Sequence, residues 1–352
     1  MLGNRIYRAR KAARLTLREL AEKVSLSHTA IQKYENNEMT PASDMLIKLA
    51  KALDVKVEYF FRPERFTLQN IQYRKHADMP EHELEEIKAK ILDQIERRIE
   101  LESLFPVSPI QDFKLGEKKL RGYDDIERIA NEVRKQWNLG LEPIANLIDT
   151  FEENGIRVFE IDNQLYPKFD GFSAHINDLP IIVIGSNWPG DRQRFTLAHE
   201  LGHLVLYGFM HPDLDEERCC NHFAGAFLLP KESLVLIMGE KRTFIEPREL
   251  SILKQEFGIS MLAILHRAED VGIITNSVYR KIRSTFNENG WNKKEPGEQY
   301  PKQKTYLFEQ MIFRALAEEY LGESKAAELL NLNVEQLRAI RSMECHDAVV
   351  NQ

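Results

Sequence analysis

Cysteine is scarce in this chain of 352 residues: there are three, and two of them are adjacent, Cys219 and Cys220. An odd, clustered set gives no disulfide framework and points to a reducing compartment, so a cytoplasmic protein is expected. Long apolar runs are missing too. No stretch reaches membrane-spanning length, and Met1 leads into Arg5, Arg8, Arg10 and Lys11 without the apolar segment of a secretion signal, so no membrane partner is expected. Acidic residues are absent before Glu19, although the whole chain carries a net charge of −7. Over residues 1–65, thirteen Lys and Arg stand against eight Asp and Glu. A basic segment leading an acidic chain favours a nucleic-acid partner for that segment.

What is present is most specific at Phe195–Leu206 (FTLAHELGHLVL). No proline interrupts this run, and its apolar residues recur on a helical period. His199 and His203 are four apart, so they stand one above the other on one face, as two imidazoles must to grip one metal ion. Glu200 between them is placed as a general base. Leu197, Leu201 and Leu204 fall on the far side of the wheel, while Phe195, Gly202 and Leu206 flank the histidines. A helix apolar nearly all round is buried, and Gly202 is expected to leave open space beside the imidazoles. A pair of core histidines satisfied by hydrogen bonds is the blander reading; the shared face and the intervening Glu200 weigh against it.

A catalytic zinc site keeps three protein ligands and one open position. Residues 213–229 (DLDEERCCNHFAGAFLL), stopped by Pro230, offer the third on a second helix. Glu217, Cys220, Asn221 and Ala224 share one face. Glu217 is the preferred ligand, with Asn221 one turn on to hydrogen-bond a ligating group. Glu216, His222 and the cysteine pair are rivals, although neighbouring cysteines diverge by about 100° on a helix and bind one ion together only with difficulty.

The strings RFTLAHELGHLVL and ERCCNHFAGAFLLP resemble the ImmA/IrrE family of zinc metallopeptidases, whose pattern is an H-E-x-x-H helix followed by E-x-x-A-N-x-F-A-x-x-L-L-x-P. The resemblance implies Zn²⁺ on His199, His203 and Glu217, with Glu200 as general base. Cys219 and Cys220 stand where that family often has Gln and Ala, a departure away from the ligands. The stretches DGFSA (170–174) and PIIVIG (180–185) also fit, and the likeness covers about residues 120–275.

The front of the chain reads as short helices with tight breaks: Asn4–Ala13, then a second opened by Thr16 with Glu19 completing a capping box. A third runs from His28 to Asn36 behind Ser27. A fourth spans Asp44–Leu53 behind Pro41 and Ser43, and a short fifth lies around Lys56–Phe60. Helix, short turn and helix with polar residues at its start is the form of a helix-turn-helix. LRELAEKVSLSHTAIQKYENNEMTP resembles the Cro/C1-type, or XRE, repressors. That likeness implies a core of Leu17, Leu20, Ala21, Val24, Ile31, Tyr34, Leu46, Leu49 and Leu53. It places Ser27, His28, Thr29, Gln32 and Lys33 in the major groove of a double-stranded operator, and Arg10, Arg14 and Asn37 over phosphates. Arg18 stands where such repressors often have Gln and serves as a phosphate partner. A homodimer is expected because half-sites come in pairs.

The expected fold class is α+β and mostly helical. Its parts are a five-helix Cro/C1-type domain (1–65), a helical connector (66–120), a zincin-like peptidase domain with a small sheet (121–285), and a linker with C-terminal helices (286–352). In the connector, Pro80–Leu104 reads as one long helix with a seam of Ile87, Ile91, Ile95 and Ile99. It serves either as a brace along the peptidase domain or as a dimer or lever helix. In the third part, helices are expected at Asp124–Trp137 and Leu141–Asn154 and strands at 156–161, 168–178 and 179–184. Pro180–Gly185 is assigned to the sheet edge, where an extended substrate pairs with it. Residues 257–274 form a turn and a packing helix capped by Ser260. Residues 286–304 read as a polar loop, and helices follow at Tyr306–Leu321, Glu323–Leu330 and Asn333–Arg341.

The functional expectation is a DNA-binding regulator carrying a zinc endopeptidase that cleaves a regulator protein. The target is a partner repressor, an antitoxin or the chain itself; the ImmA/IrrE resemblance implies cleavage of a repressor under stress or phage induction. The alternative is a repressor whose zinc-site domain only senses a metal or ligand. Tyr166, His175 and Tyr207 are the candidates for stabilising the oxyanion.

Overall fold

The computed structural model describes residues 2–62, 69–73, 79–106, 120–176 and 179–343. Cys345 and the break expected at Val107–Pro109 lie outside them. The chain divides into two compact units. Among the described residues, no helix is long and apolar enough to cross a membrane.

The first unit opens with α1 (Leu2–Ala12), α2 (Leu17–Lys23), α3 (His28–Glu35), α4 (Ser43–Ala52) and a 3-10 turn at Val57–Phe61. Local chemistry sets the boundaries. Thr16 Oγ1 accepts from Glu19 N at 3.2 Å while Glu19 Oε2 accepts from Thr16 N at 2.7 Å, a complete capping box. Ser27 Oγ accepts from Ala30 N at 3.2 Å and starts α3. No side chain caps α4, whose preceding residue is Ala42 rather than the expected Ser43. The expected core residues are buried here apart from Leu17, which is half-buried, and Ile6 and Phe60 join them.

The long connector helix is α5 (Glu81–Glu102). It belongs to the first unit, where it packs on α1, and it buries Ile87, Ile91 and Ile95. Its acidic residues meet the basic face of α1: Glu96 pairs with Arg5 and Arg8, and Glu86 with Arg14.

The second unit contains β1 (Gln69–Tyr73), α6 (Tyr123–Gln136), α7 (Leu147–Glu153), β2 (Arg157–Ile161), β3 (Gly171–Ile176) and β4 (Leu179–Gly185). It continues through α8 (Gly190–Leu206), α9 (Glu216–Leu228), α10 (Lys231–Met238), α11 (Pro247–Phe257), α12 (Met261–Asp270) and α13 (Asn276–Glu288). α7 starts six residues later than expected: Pro143 disfavours helix before it, and Asn146 Oδ1 caps the helix by accepting from Ile148 N and Asp149 N. The sheet order is β1-β3-β4-β2, with β3 antiparallel to both β1 and β4, and β2 parallel to β4. The assignment of Pro180–Gly185 to the sheet edge is therefore corrected: β4 is interior, paired on both sides. Ile181, Ile182, Val183 and Ile184 are completely buried, as a strand covered on both faces requires.

Residues 286–304 are not a free linker either. Gln303 is buried, where its Oε1 accepts from Leu147 N at 2.8 Å and Arg194 Nη1 at 3.1 Å. Glu295 takes the amides of Met261 and Leu262 at the start of α12. The last helices, α14 (Leu307–Ala317), α15 (Glu323–Leu329) and α16 (Val334–Arg341), cluster with the first unit from Glu309 onward. There Glu328 pairs with Arg62, and Arg97 donates to Leu329 O at 2.8 Å. The connector helix and the C-terminal helices thus cluster with the N-terminal ones in one unit.

Candidate metal centre

α8 is held firmly at its start. Arg194, completely buried, donates to Ile144 O at 2.8 Å and Phe257 O at 3.2 Å, and Asp191 pairs with Lys254 at 2.8 Å. A Cβ on Gly190 would lie 2.0 Å from Pro301 O, so only glycine fits under that strand of chain. Along its length α8 is buried almost throughout, as its apolar wheel requires.

Gly202 departs from expectation. It does not open space beside the histidines; a Cβ there would meet Cys220 Cα and Phe223 Cδ1 at 3.2 Å. The missing side chain lets α9 lie close against α8, and that approach brings Glu217 to the histidines.

Three side chains converge. His199 Nε2 and His203 Nε2 are 3.1 Å apart, and the Glu217 carboxylate lies 3.5 Å from each. Tetrahedral bonds of about 2.0–2.1 Å to zinc give ligand-to-ligand edges of about 3.3 Å, so the three observed edges fit one small cation. Among the described residues, these three are the group of His, Cys, Asp and Glu close enough to share an ion. Both histidines are buried, whereas the Glu217 side chain is 46% exposed, so the centre opens to solvent on the Glu217 side.

The outer nitrogens are also held. Asn221 Oδ1 lies 3.0 Å from His199 Nδ1, and Glu216 Oε1 lies 3.0 Å from His203 Nδ1. Oxygen acceptors at both Nδ1 atoms keep their protons there and turn the Nε2 lone pairs inward. Glu216 appears in the sequence only as a rival ligand; its contact with the outer nitrogen follows from lying one residue before Glu217 on the same first turn.

Electrostatics are consistent with a cation seat. The imidazole of His199, then that of His203, holds the Glu217 carboxyl well below the usual carboxylate range. Burial opposes charge on His203, but Cys220 and Glu217 outweigh it, so the site favours positive charge at this position, which a bound cation supplies in place of a proton. Burial raises both thiols, Cys220 to about 11, which disfavours them as thiolate ligands. Glu200 is completely buried on the same helix. Of the oxyanion candidates, Tyr166 is fully buried, His175 lies on β3, and Tyr207 ends α8 about half exposed.

In the first unit, Arg18, Ser27, His28, Thr29, Gln32, Lys33 and Asn37 are exposed. Asn37, at φ 60°, also accepts from Gly3 N at 2.9 Å and so closes the start of α1. Arg10 is corrected. It is buried in a two-pronged pair with Glu35 at 2.6 and 2.8 Å and donates to Leu15 O, which withdraws it from any phosphate. Arg14 is held by Glu86 at 2.9 Å, which leaves its charge already matched.

Comparison with known proteins finds two separate matches along the chain. Residues 6–60 match a family model described as Helix-turn-helix, and residues 151–269 match a peptidase-family model described as IrrE N-terminal-like domain. An uncharacterized HTH-type transcriptional regulator of Rickettsia conorii is 37% identical over 60 residues, covering 17% of this chain and 48% of that protein. The HTH-type transcriptional regulator ImmR of Bacillus subtilis is 30% identical over 69 residues, covering 20% of this chain and 54% of that protein. The chain spans about half the length of the curated relatives it matches. A solved Mycobacterium tuberculosis transcriptional regulator aligns with a TM-score of 0.30 at 16% identity, over 41% of this chain and 47% of that one.

Proposed function

With residues 6–60 an XRE-type helix-turn-helix domain and residues 151–269 an IrrE/ImmA-type domain, we propose that the chain is a DNA-binding transcriptional regulator carrying a zinc-dependent endopeptidase. Its substrate is a peptide bond in a regulator protein, of repressor or antitoxin type. The observation that carries the reading is the triangle of His199, His203 and Glu217, with edges of 3.1, 3.5 and 3.5 Å.

His199, His203 and Glu217 would hold zinc, which would supply Lewis acidity to lower the pKa of water toward neutrality and polarise a carbonyl. Glu200 takes the proton released as water attacks the peptide carbon, then delivers it to the leaving amine. Asn221 and Glu216 orient the two imidazoles, and the exposed side at Glu217 admits the peptide. In the first unit, Ser27, His28, Thr29, Gln32 and Lys33 face base edges of a double-stranded operator, while Arg18 and Asn37 meet phosphates. Binding to paired half-sites makes a homodimer the working form.

Glu200→Gln is the decisive substitution. It keeps the three ligands, so zinc content stays at one per chain by metal analysis, while hydrolysis of any protein that disappears in cells expressing the wild type is lost. Unchanged regulation by the Glu200→Gln form would instead make the zinc domain a sensor.

A further inference from the structure

The α2–α3 pair is built from a fixed set of local features. Ala21 is buried on α2, and Ser25 after it takes φ 57°. On either side of Ser25, Val24 N donates back to Leu20 O at 3.1 Å and Leu26 N to Ala21 O at 2.9 Å. Ser27 then caps α3, and Ile31 is completely buried. The pair α15–α16 repeats this set at the same spacing. Ala327 is completely buried on α15, and Asn331 takes φ 57°. Leu330 N donates to Ala326 O at 3.0 Å and Leu332 N to Ala327 O at 2.8 Å. Asn333 caps α16 by accepting from Gln336 N at 2.8 Å, and Leu337 is completely buried. α15 has seven residues like α2, α16 has eight like α3, and the members of each pair pack together. A small side chain at the alanine position lets two helices cross closely. At the corner between α1 and α2, where Arg14 takes φ 58°, that position holds Arg10 instead.

We propose that α15–α16 is a second helix-turn-helix in the first unit and that α16 contacts double-stranded DNA through Arg338 and Arg341. The proposal is independent of the peptidase reading and takes α2–α3 as its template. Asn333, Glu335 and Arg338 are exposed where α3 exposes Ser27, Thr29 and Gln32. Arg pairs with guanine more often than any other specific contact in the major groove, and Glu accepts from cytosine. Charge does not separate the two pairs. Residues 17–36 carry three basic and three acidic side chains, and residues 323–342 carry the same numbers. Arg338 donates to Glu323 at 2.9 and 2.8 Å, and Arg341 pairs with the same carboxylate. Glu323 is 33% exposed, whereas the carboxylates that hold Arg10 and Arg14 are 8% and 4% exposed. Exposed ion pairs hold weakly, so Glu323 yields both arginines to the duplex.

The test uses the full chain and a fluorescein-labelled duplex of random sequence, about 40 base pairs long, with anisotropy followed from about 50 to 200 mM salt. Arg338→Ala combined with Arg341→Ala should lower the slope of log affinity against log salt by about 1.8 and weaken binding roughly tenfold or more. Glu323→Gln, which releases both arginines, should tighten binding. Arg280→Ala combined with Lys281→Ala removes the same charge from exposed positions on α13 and should leave the slope as in the wild type. An unaltered slope in the α16 double variant, or an equal fall in the α13 one, overturns the proposal. Lys33→Ala reports on α3 in the same assay. A slope that falls there but not in the α16 variant assigns all DNA contact to the front pair and overturns the proposal, and a slope that falls in neither removes the DNA reading with it. Arg338→Gln combined with Arg341→Gln gives the same readout should the alanine variant lower the yield of folded protein.

Discussion

Glu216 contacts His203 from the position next to Glu217: its Oε1 sits 3.0 Å from His203 Nδ1, while Glu217 lies 3.5 Å from the Nε2 of the same ring. One turn of α9 thus grips both nitrogens of one imidazole. Glu216→Gln should keep the fold and lower zinc affinity by about 10–100-fold. Titration of the zinc-loaded protein against a colorimetric chelator measures this, and unaltered affinity would remove Glu216 from the centre.

Gly202→Ala probes the close approach of α9. The added methyl meets Cys220 and Phe223 at 3.2–3.3 Å, so α9 must shift, and overpacking of this kind costs about 1–3 kcal/mol. Because Glu217 rides on α9, zinc affinity should fall with stability. A variant that loses stability but binds zinc as before would separate the helix contact from ligand placement.

Arg10 and Glu35 are buried together, and removing one partner strands the other's charge. Glu35→Ala should therefore destabilise the first unit by about 3–5 kcal/mol. Urea unfolding of the full chain should show the loss in the transition assigned to that unit, and a change under 1 kcal/mol (roughly that of a surface pair) would contradict the buried assignment.

Burial works to raise the pKa of Glu127, but hydrogen bonds from Arg267 and His222 outweigh it, and the carboxyl falls from 4.5 to about 2. A depressed carboxylate stabilises the fold at pH above its unfolded value, and the contribution disappears as pH falls through the folded one. Melting temperature should thus drop between about pH 4.5 and pH 2. Glu127→Gln should flatten that limb and lower stability at neutral pH; an identical acid limb in the variant would place the sensitivity elsewhere.

The metal triangle is legible because helical spacing is rigid: four residues separate His199 from His203, and the ligand-bearing face of α9 repeats on the same period. Which helix meets which is not legible. Gly202 reads as empty space because the sequence does not name the neighbour that fills it. Arg10 and Arg14 read as phosphate contacts because their carboxylate partners, Glu35 and Glu86, come from elements whose packing no local pattern reports. Residues 286–304 look like a linker since Gly, Pro and polar residues punctuate them. Yet Gln303 and Glu295 answer buried donors, a use of polarity that composition does not reveal. For β4 the sign was present. An unbroken Ile181–Ile184 run is what an interior strand shows, whereas an edge strand alternates.

The ion pair between Arg62 and Glu328 joins side chains 266 positions apart. On the ribosome, the partner for Arg62 emerges only after the whole of α6–α13 has been made, so the second unit can mature while the first still lacks its closing helices. Synthesis itself thereby orders the two units, the one that begins the chain being the last to be completed.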